Sequence, residues 1–176
     1  MSSKCVRPTA QMRGGRAWLV GALAGLAGGG IEVAWIILYQ NLAGQDAAAV
    51  ARGVTQSVLP FLAAPPAAVA MGIAIHMALA VGLGIAIAVA VRRLLPGLVG
   101  TAMEPVVVVA ALAGVWAMNF LVLLPVINPA FVALVPYAAS LASKVLFGFA
   151  AAFVFLCAGR LSAAGPRGHK ETCDVQ

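Results

Sequence analysis

The chain has 176 residues, of which 63% are hydrophobic and only 9% charged, and its formal net charge is +6. A soluble domain carries about 25% charged residues, so this composition cannot cover a water-soluble globule and points to an integral membrane protein. The apolar segments do not alternate with period two, which argues against a membrane β-barrel, and the fold expected is an all-α membrane bundle of four transmembrane helices.

Taken in chain order, residues 1–16 form a basic tail with Lys4, Arg7, Arg13 and Arg16. The first span is read as 17–39. At 23 residues it exceeds the roughly 7–15 apolar residues of a signal peptide, and no small-x-small cleavage site follows it. It is therefore expected to stay in the membrane. The loop 40–66 is the only sizeable extramembrane segment. Within it Ala47, Val50, Val54 and Val58 have the spacing of a short amphipathic helix, lying on the membrane surface as a connector or covering an outward-facing cavity. Pro60, Pro65 and Pro66 then break the chain before span two, 67–91.

The loop "RRLLPGLVGTAMEP" leads into span three, 106–124. There Glu104 meets the positive end of the helix dipole and Pro105 suits the first turn. Asn128–Pro129 is a second helix-start signature, which leaves Pro136 inside the helix of span four, 136–158. A proline there removes a backbone hydrogen bond, so span four is expected to be bent or broken about two turns above Lys144. The segment 159–176 is small, polar and Gly/Pro-bearing, the composition of a flexible tail.

The distribution of charge fixes an expected orientation. Lys4, Arg7, Arg13, Arg16, Arg92, Arg93, Arg160, Arg167 and Lys170 fall on one side of the spans, and Arg52 alone on the other. By the positive-inside rule both termini lie in the cytoplasm. The basic residues are thus topology signals in contact with lipid headgroups, and nucleic acid is not an expected partner. The alanine-, glycine- and valine-rich make-up is that of small proteins of the bacterial inner membrane, a likeness of composition and not of motif. Trp35, Tyr39 and Tyr137 near one interface and Trp18 near the other read as an aromatic belt.

Each span holds one strongly polar side chain: Glu32, His76, Asn119 and Lys144. Counting from the span midpoints at 1.5 Å per residue puts all four roughly 4–6 Å outside the bilayer centre. The three ionisable ones, Glu32, His76 and Lys144, lie along rows of small residues, with Gly21, Gly25 and Gly29 in span one, Gly72 and Gly84 in span two and Gly148 in span four. Small residues every four positions let helices approach closely in lipid, so these six glycines are candidate packing sites and the ionisable residues should face other helices. A charge at the bilayer centre costs about 2.5–3.5 kcal/mol on insertion scales. A Lys144–Glu32 pair, with His76 and Asn119 in the same layer, would offset that cost; Lys144 could instead snorkel outward.

The polar layer suggests little chemistry. His76 is the only intramembrane histidine, so one chain cannot ligate a b-type haem through two histidines. Cys5, Cys157 and Cys173 form no metal spacing and fall on the reducing side. No nucleophile–base pair is visible. The expectation is no enzyme, no cofactor and no metal. Two functions remain: an accessory or assembly subunit of a membrane complex, or a small transporter or channel component moving a proton, ion or small solute through the polar layer. Either calls for a homo-oligomer or a larger membrane complex around the chain.

Overall fold

The computed structural model describes residues 11–62 and 67–163. Among them it contains helices and turns and no strand. Helix α1 runs Gln11–Leu42, α2 Ala47–Val58 and α3 Ala67–Leu94. Helix α4, Met103–Ala117, continues through a wide π turn, Met118–Leu123, into α5, Leu124–Ile127. A short α6, Pro129–Leu134, precedes α7, Tyr137–Ala163. Four segments are long and apolar enough to cross a membrane: Gly15–Leu42, Ala67–Leu94, Met103–Ile127 and Tyr137–Arg160. In hydrocarbon a backbone must satisfy its own polar groups, and a helix does so within one segment.

The outer helices run further than the apolar segments that predict them, α1 from Gln11 and α7 to Ala163. Polar and basic residues can continue a helix where the chain leaves hydrocarbon. The remaining tail residues, 1–10 and 164–176, with Cys5 and Cys173, lie outside the described residues, as do Pro65 and Pro66. Cys157 is a free thiol.

Helix ends follow local chemistry. After α1, Gly44 takes a left-handed φ of 67°, and the Gln45 N–H donates to Gln40 O, closing the helix as a glycine-terminated cap does. Asp46 then caps α2, its carboxylate accepting from Ala48 N–H at 2.8 Å. Asn128 does the same for α6, accepting from Phe131 N–H at 3.2 Å. Val135 is extended and α7 begins only at Tyr137. The proline break in span four therefore falls at residues 135–136.

Helix α1 packs along both α3 and α7, and α4 packs along α7, while α3 and α4 meet only over a short stretch. The α1–α3 contact is the most extensive. A Cβ on Gly21 would come within 2.6 Å of Ile85 Cα, and a Cβ on Gly25 within 2.6 Å of Val81 Cα. From α3, Gly84 lies against the backbones of Gly21 and Gly25. Gly29 abuts Ala80, Gly72 abuts Ala51 of α2, and Gly148 abuts Val109 of α4. Each of the six glycines thus meets another helix, whereas Gly30, Gly82 and Gly114 face open space. Van der Waals contact at such close approach is a main source of helix association in lipid.

Two apolar clusters fill the interior. The one toward the basic end contains Val20, Ala24, Ile87, Val108, Leu112, Phe147 and Phe155. There Arg92 lies over the Phe155 ring at 5.8 Å, and Arg16 donates to Ala158 O. The other cluster, toward α2, contains Val50, Phe120, Leu124, Phe131 and Val135. Helix α2 rests on α3 and α6: Thr55 Oγ1 donates to Ala68 O at 2.6 Å, and Asn128 Nδ2 to Ser57 Oγ at 2.9 Å. Its buried residues are Val50, Gly53 and Thr55, whereas Val58 is half exposed. The inward side thus includes Gly53 and Thr55, which lie outside the predicted Ala47–Val50–Val54–Val58 stripe.

Candidate functional site

Glu32 is the centre of the polar layer. It lies on the row of α1 that includes Gly28, and only 3% of it is exposed. Lys144 of α7 reaches it with Nζ 2.8 Å from Oε1 and 2.9 Å from Oε2. Ser143 Oγ lies 3.2 Å from Oε1, within donating distance, and also 2.7 Å from Ser140 O. Opposite charges at this distance inside a weakly polarisable interior attract strongly, but both have lost hydration, so the pair must also satisfy its remaining polar atoms. Ser143 helps to do so for Oε1.

Packing supports the lysine as well. Phe147 is fully buried one turn further along α7. Its ring fits because Gly28 has no side chain; a Cβ there would stand 2.6 Å from the ring. The Lys144 ammonium lies 5.4 Å from the Phe147 ring centroid, within the range of cation–π attraction. A glycine on α1 thus admits a ring on α7, and that ring backs the cation paired with α1.

His76 of α3 comes close without bonding. Its Nε2 is 3.7 Å from Glu32 Oε2, beyond hydrogen-bond reach. That nitrogen is buried and has no hydrogen-bond partner among the described residues. The imidazole as a whole is 28% exposed. Two of the other three predicted residues, Lys144 and His76, therefore converge on the Glu32 carboxylate.

Asn119 does not join them. It lies in the π turn, partly exposed, and its side chain has no hydrogen-bond partner among the described residues. The cause is Pro125. A proline ring inside a helix clashes with the carbonyl four residues earlier, and widening the turn to an i→i+5 pattern relieves such a clash. Here Leu124 N–H donates to Asn119 O. The wide turn brings Phe120, not Asn119, into line with Trp116, and the two rings stack at 6.1 Å. Asn119 thus shares no side-chain bond with Glu32, His76 or Lys144 among the described residues.

Models of protein families, characterised proteins and solved structures were all compared with the chain. None matches it. The site therefore has to be read from its own chemistry.

Several polar contacts were not foreseen from the sequence. Trp116 Nε1 donates to Ser140 Oγ at 2.9 Å, and Ser140 Oγ to Tyr137 O at 3.0 Å. Trp35 Nε1 donates to Ala139 O at 3.0 Å, so this indole ties α1 to α7 instead of serving only as a belt residue. Gln40, 1% exposed, donates to Leu134 O at 2.9 Å, at the break in span four, while its Oε1 has no partner among the described residues. One signal for Ser143 was available: Ser140, Ser143 and Lys144 have i, i+3, i+4 spacing, which puts all three on one face of a helix.

No group of three or more His, Cys, Asp or Glu that could hold a metal ion occurs among the described residues. What the arrangement can do chemically is hold two helices by charge and exchange a proton.

Proposed function

We propose that the protein is a multi-pass protein of a bacterial inner membrane, with both termini in the cytoplasm, and serves as an accessory or assembly subunit of a larger membrane complex. One observation carries this reading. The Glu32 carboxylate is closed off from outside and occupied by groups of its own chain, Lys144 and Ser143. A carboxylate held in this way locks α1 to α7 and is not presented to a solute. The nine-to-one bias of basic residues supports the orientation. In this orientation α2 is a short amphipathic helix at the outer surface, with Val50 inward and Asp46 and Arg52 toward the headgroups. The exposed apolar side chains of α1 and α7, among them Leu19, Leu23, Phe149 and Phe153, then face lipid or neighbouring subunits. No enzymatic role is proposed.

Extraction in a mild detergent tests the reading. The expected result is recovery of the wild type in fixed stoichiometry with another membrane subunit or with further copies of itself, and no solute flux when it is reconstituted alone. A monomer that carries flux alone, lost in Glu32→Gln while insertion and folding persist, would establish the second reading, a small transporter or channel component moving a proton, ion or small solute. The unpartnered His76 Nε2, aimed at Glu32, favours that alternative.

A further inference from the structure

The contacts around Glu32 leave one side incomplete. Oε1 has Lys144 and Ser143, and Oε2 has Lys144. On the third side His76 Nε2 stops at 3.7 Å. Neither neutral tautomer of the ring bonds the carboxylate at that separation. A protonated ring would do so, because N⁺–H···O⁻ bonds close to about 2.7–2.9 Å. A side-chain adjustment of about 1 Å therefore converts a bare approach into a charge-assisted bond.

We propose that His76 Nε2 is a proton-binding site, and that filling it draws the Glu32 carboxylate toward α3 and detaches Lys144 from it. This rests on the reading of Glu32–Lys144 as an intramembrane lock and adds the ligand that works it. The ligand is a proton from the aqueous phase; one N–H bond forms, and no covalent bond breaks. Repulsion between two cations held against one carboxylate drives the exchange. With Glu32 ionised, Lys144 protonated and His76 neutral, the layer has no net charge. A proton on His76 leaves one anion shared by two cations inside an apolar slab, where unbalanced charge is costly.

Among the described residues the surrounding elements bring no further charge to absorb it. Facing His76 are Glu32 from α1 and Lys144 from α7. The charged groups associated with α2, Arg52 and its cap Asp46, pair with each other at 2.6 Å. On α3 itself Arg92 and Arg93 lie in the last turn, and α4 carries only Glu104, in its first turn. Lys144 is thus the group that must yield, and the Phe147 face at 5.4 Å offers its ammonium a second contact.

The test uses the full chain in lipid nanodiscs with Lys4→Arg, Lys170→Arg and His169→Ala, which leaves one lysine and one histidine. Nitrogen-15 in both residues and carbon-13 in the glutamate carboxyls allow solid-state NMR to read the imidazole protonation state and the Lys Nζ–Glu carboxyl coupling together. As the pH is lowered from about 8 to about 4, a range that extends below the ordinary histidine window, the ring should become imidazolium and the coupling should fall over the same interval. In His76→Gln the coupling should persist unchanged. A ring that stays neutral throughout would overturn the proposal, as would a ring that protonates while the coupling holds. So would a His76→Gln variant that loses the coupling like the wild type, since Glu32 would then be the proton acceptor. Failure of the assembly reading would appear in copurification, which these spectra do not measure.

Discussion

The two ends of this bundle are built on different principles. Toward the basic end, helices are uninterrupted and touch through glycine and alanine, as where Gly84 meets Gly21 and Gly25. Toward α2, the helices are interrupted by a π turn at 118–123 and a break at 135–136, and polar side chains join the pieces. Trp35, Gln40, Trp116 and Asn128 each donate a hydrogen bond from one segment to another there. Shape complementarity therefore holds one end and directed polar contacts the other, with the Glu32–Lys144 pair at the junction. Every backbone irregularity frees carbonyl or amide groups that must find partners in a medium without water. The carbonyl of Leu134, beside the break, finds Gln40.

The largest effect should come from breaking the junction on one side only. Lys144→Met leaves a buried, unpaired carboxylate, and removing one partner of a buried pair costs about 3–5 kcal/mol. Glu32→Gln with Lys144→Met removes both charges and should recover most of that loss, since neutral replacements of buried pairs are often tolerated. Reversible unfolding in mixed micelles would measure both. Equal loss in the single and double variants would mean that the charges do not hold α1 to α7.

The smooth end can be probed with two valines placed two residues apart on α3. At Gly84 a Cβ would stand within 2.7 Å of Gly25 Cα, whereas at Gly82 nothing lies within 4 Å. Gly84→Val should therefore cost on the order of 1–3 kcal/mol or more, as overpacking does, and Gly82→Val should be close to neutral. If both variants unfold at the same detergent fraction, close helix approach is not what stabilises this end.

This contrast also explains what the sequence could reveal. The spans, the rows of small residues and the interval from Gly25 to Glu32 are periodic features of an unbroken helix, so spacing alone gave their partners' faces. Glu32, His76 and Lys144 lie on unbroken stretches and meet as their spacing predicts. Asn119 lies within the π turn that Pro125 imposes, where the usual 3.6-residue period no longer says which way a side chain points. The contact between Gln40 and Leu134 was unreadable for a related reason: the acceptor is a carbonyl freed by the break, and no side-chain pattern records it. The bond from Trp116 to Ser140 depends on the azimuth of α4 relative to α7, which no spacing within one helix records.

A smaller effect is expected from the polar contacts of the irregular end taken singly. Trp116→Phe keeps the ring and removes the donor to Ser140. Hydrogen bonds between membrane helices average about 0.6 kcal/mol, so the variant should lose roughly that much. Because Ser140 Oγ also donates to Tyr137 O, the N-terminus of α7 should remain ordered. Hydrogen exchange at Tyr137–Ser143 would show the reverse if the indole were what starts that helix.

The smallest effect belongs to the polar cap beyond the α2 end. Asp46 is held below its ordinary value of 3.8, first by the hydrogen bond from Arg52 and then by the Ala48 N–H. A carboxyl depressed in the folded state contributes its stability in full above its unfolded value and loses it as the pH falls through the lower, folded value. The N-terminus of α2 should therefore be insensitive to pH around neutrality and begin to fray only below the ordinary carboxylate range. In Arg52→Gln the largest cause of the shift is gone, so the acid-dependent part should shrink while the Ala48 contact still caps the helix. Amide exchange along Ala47–Arg52 as a function of pH separates this from the His76 site: fraying of α2 near neutral pH would point to a proton bound elsewhere than Asp46.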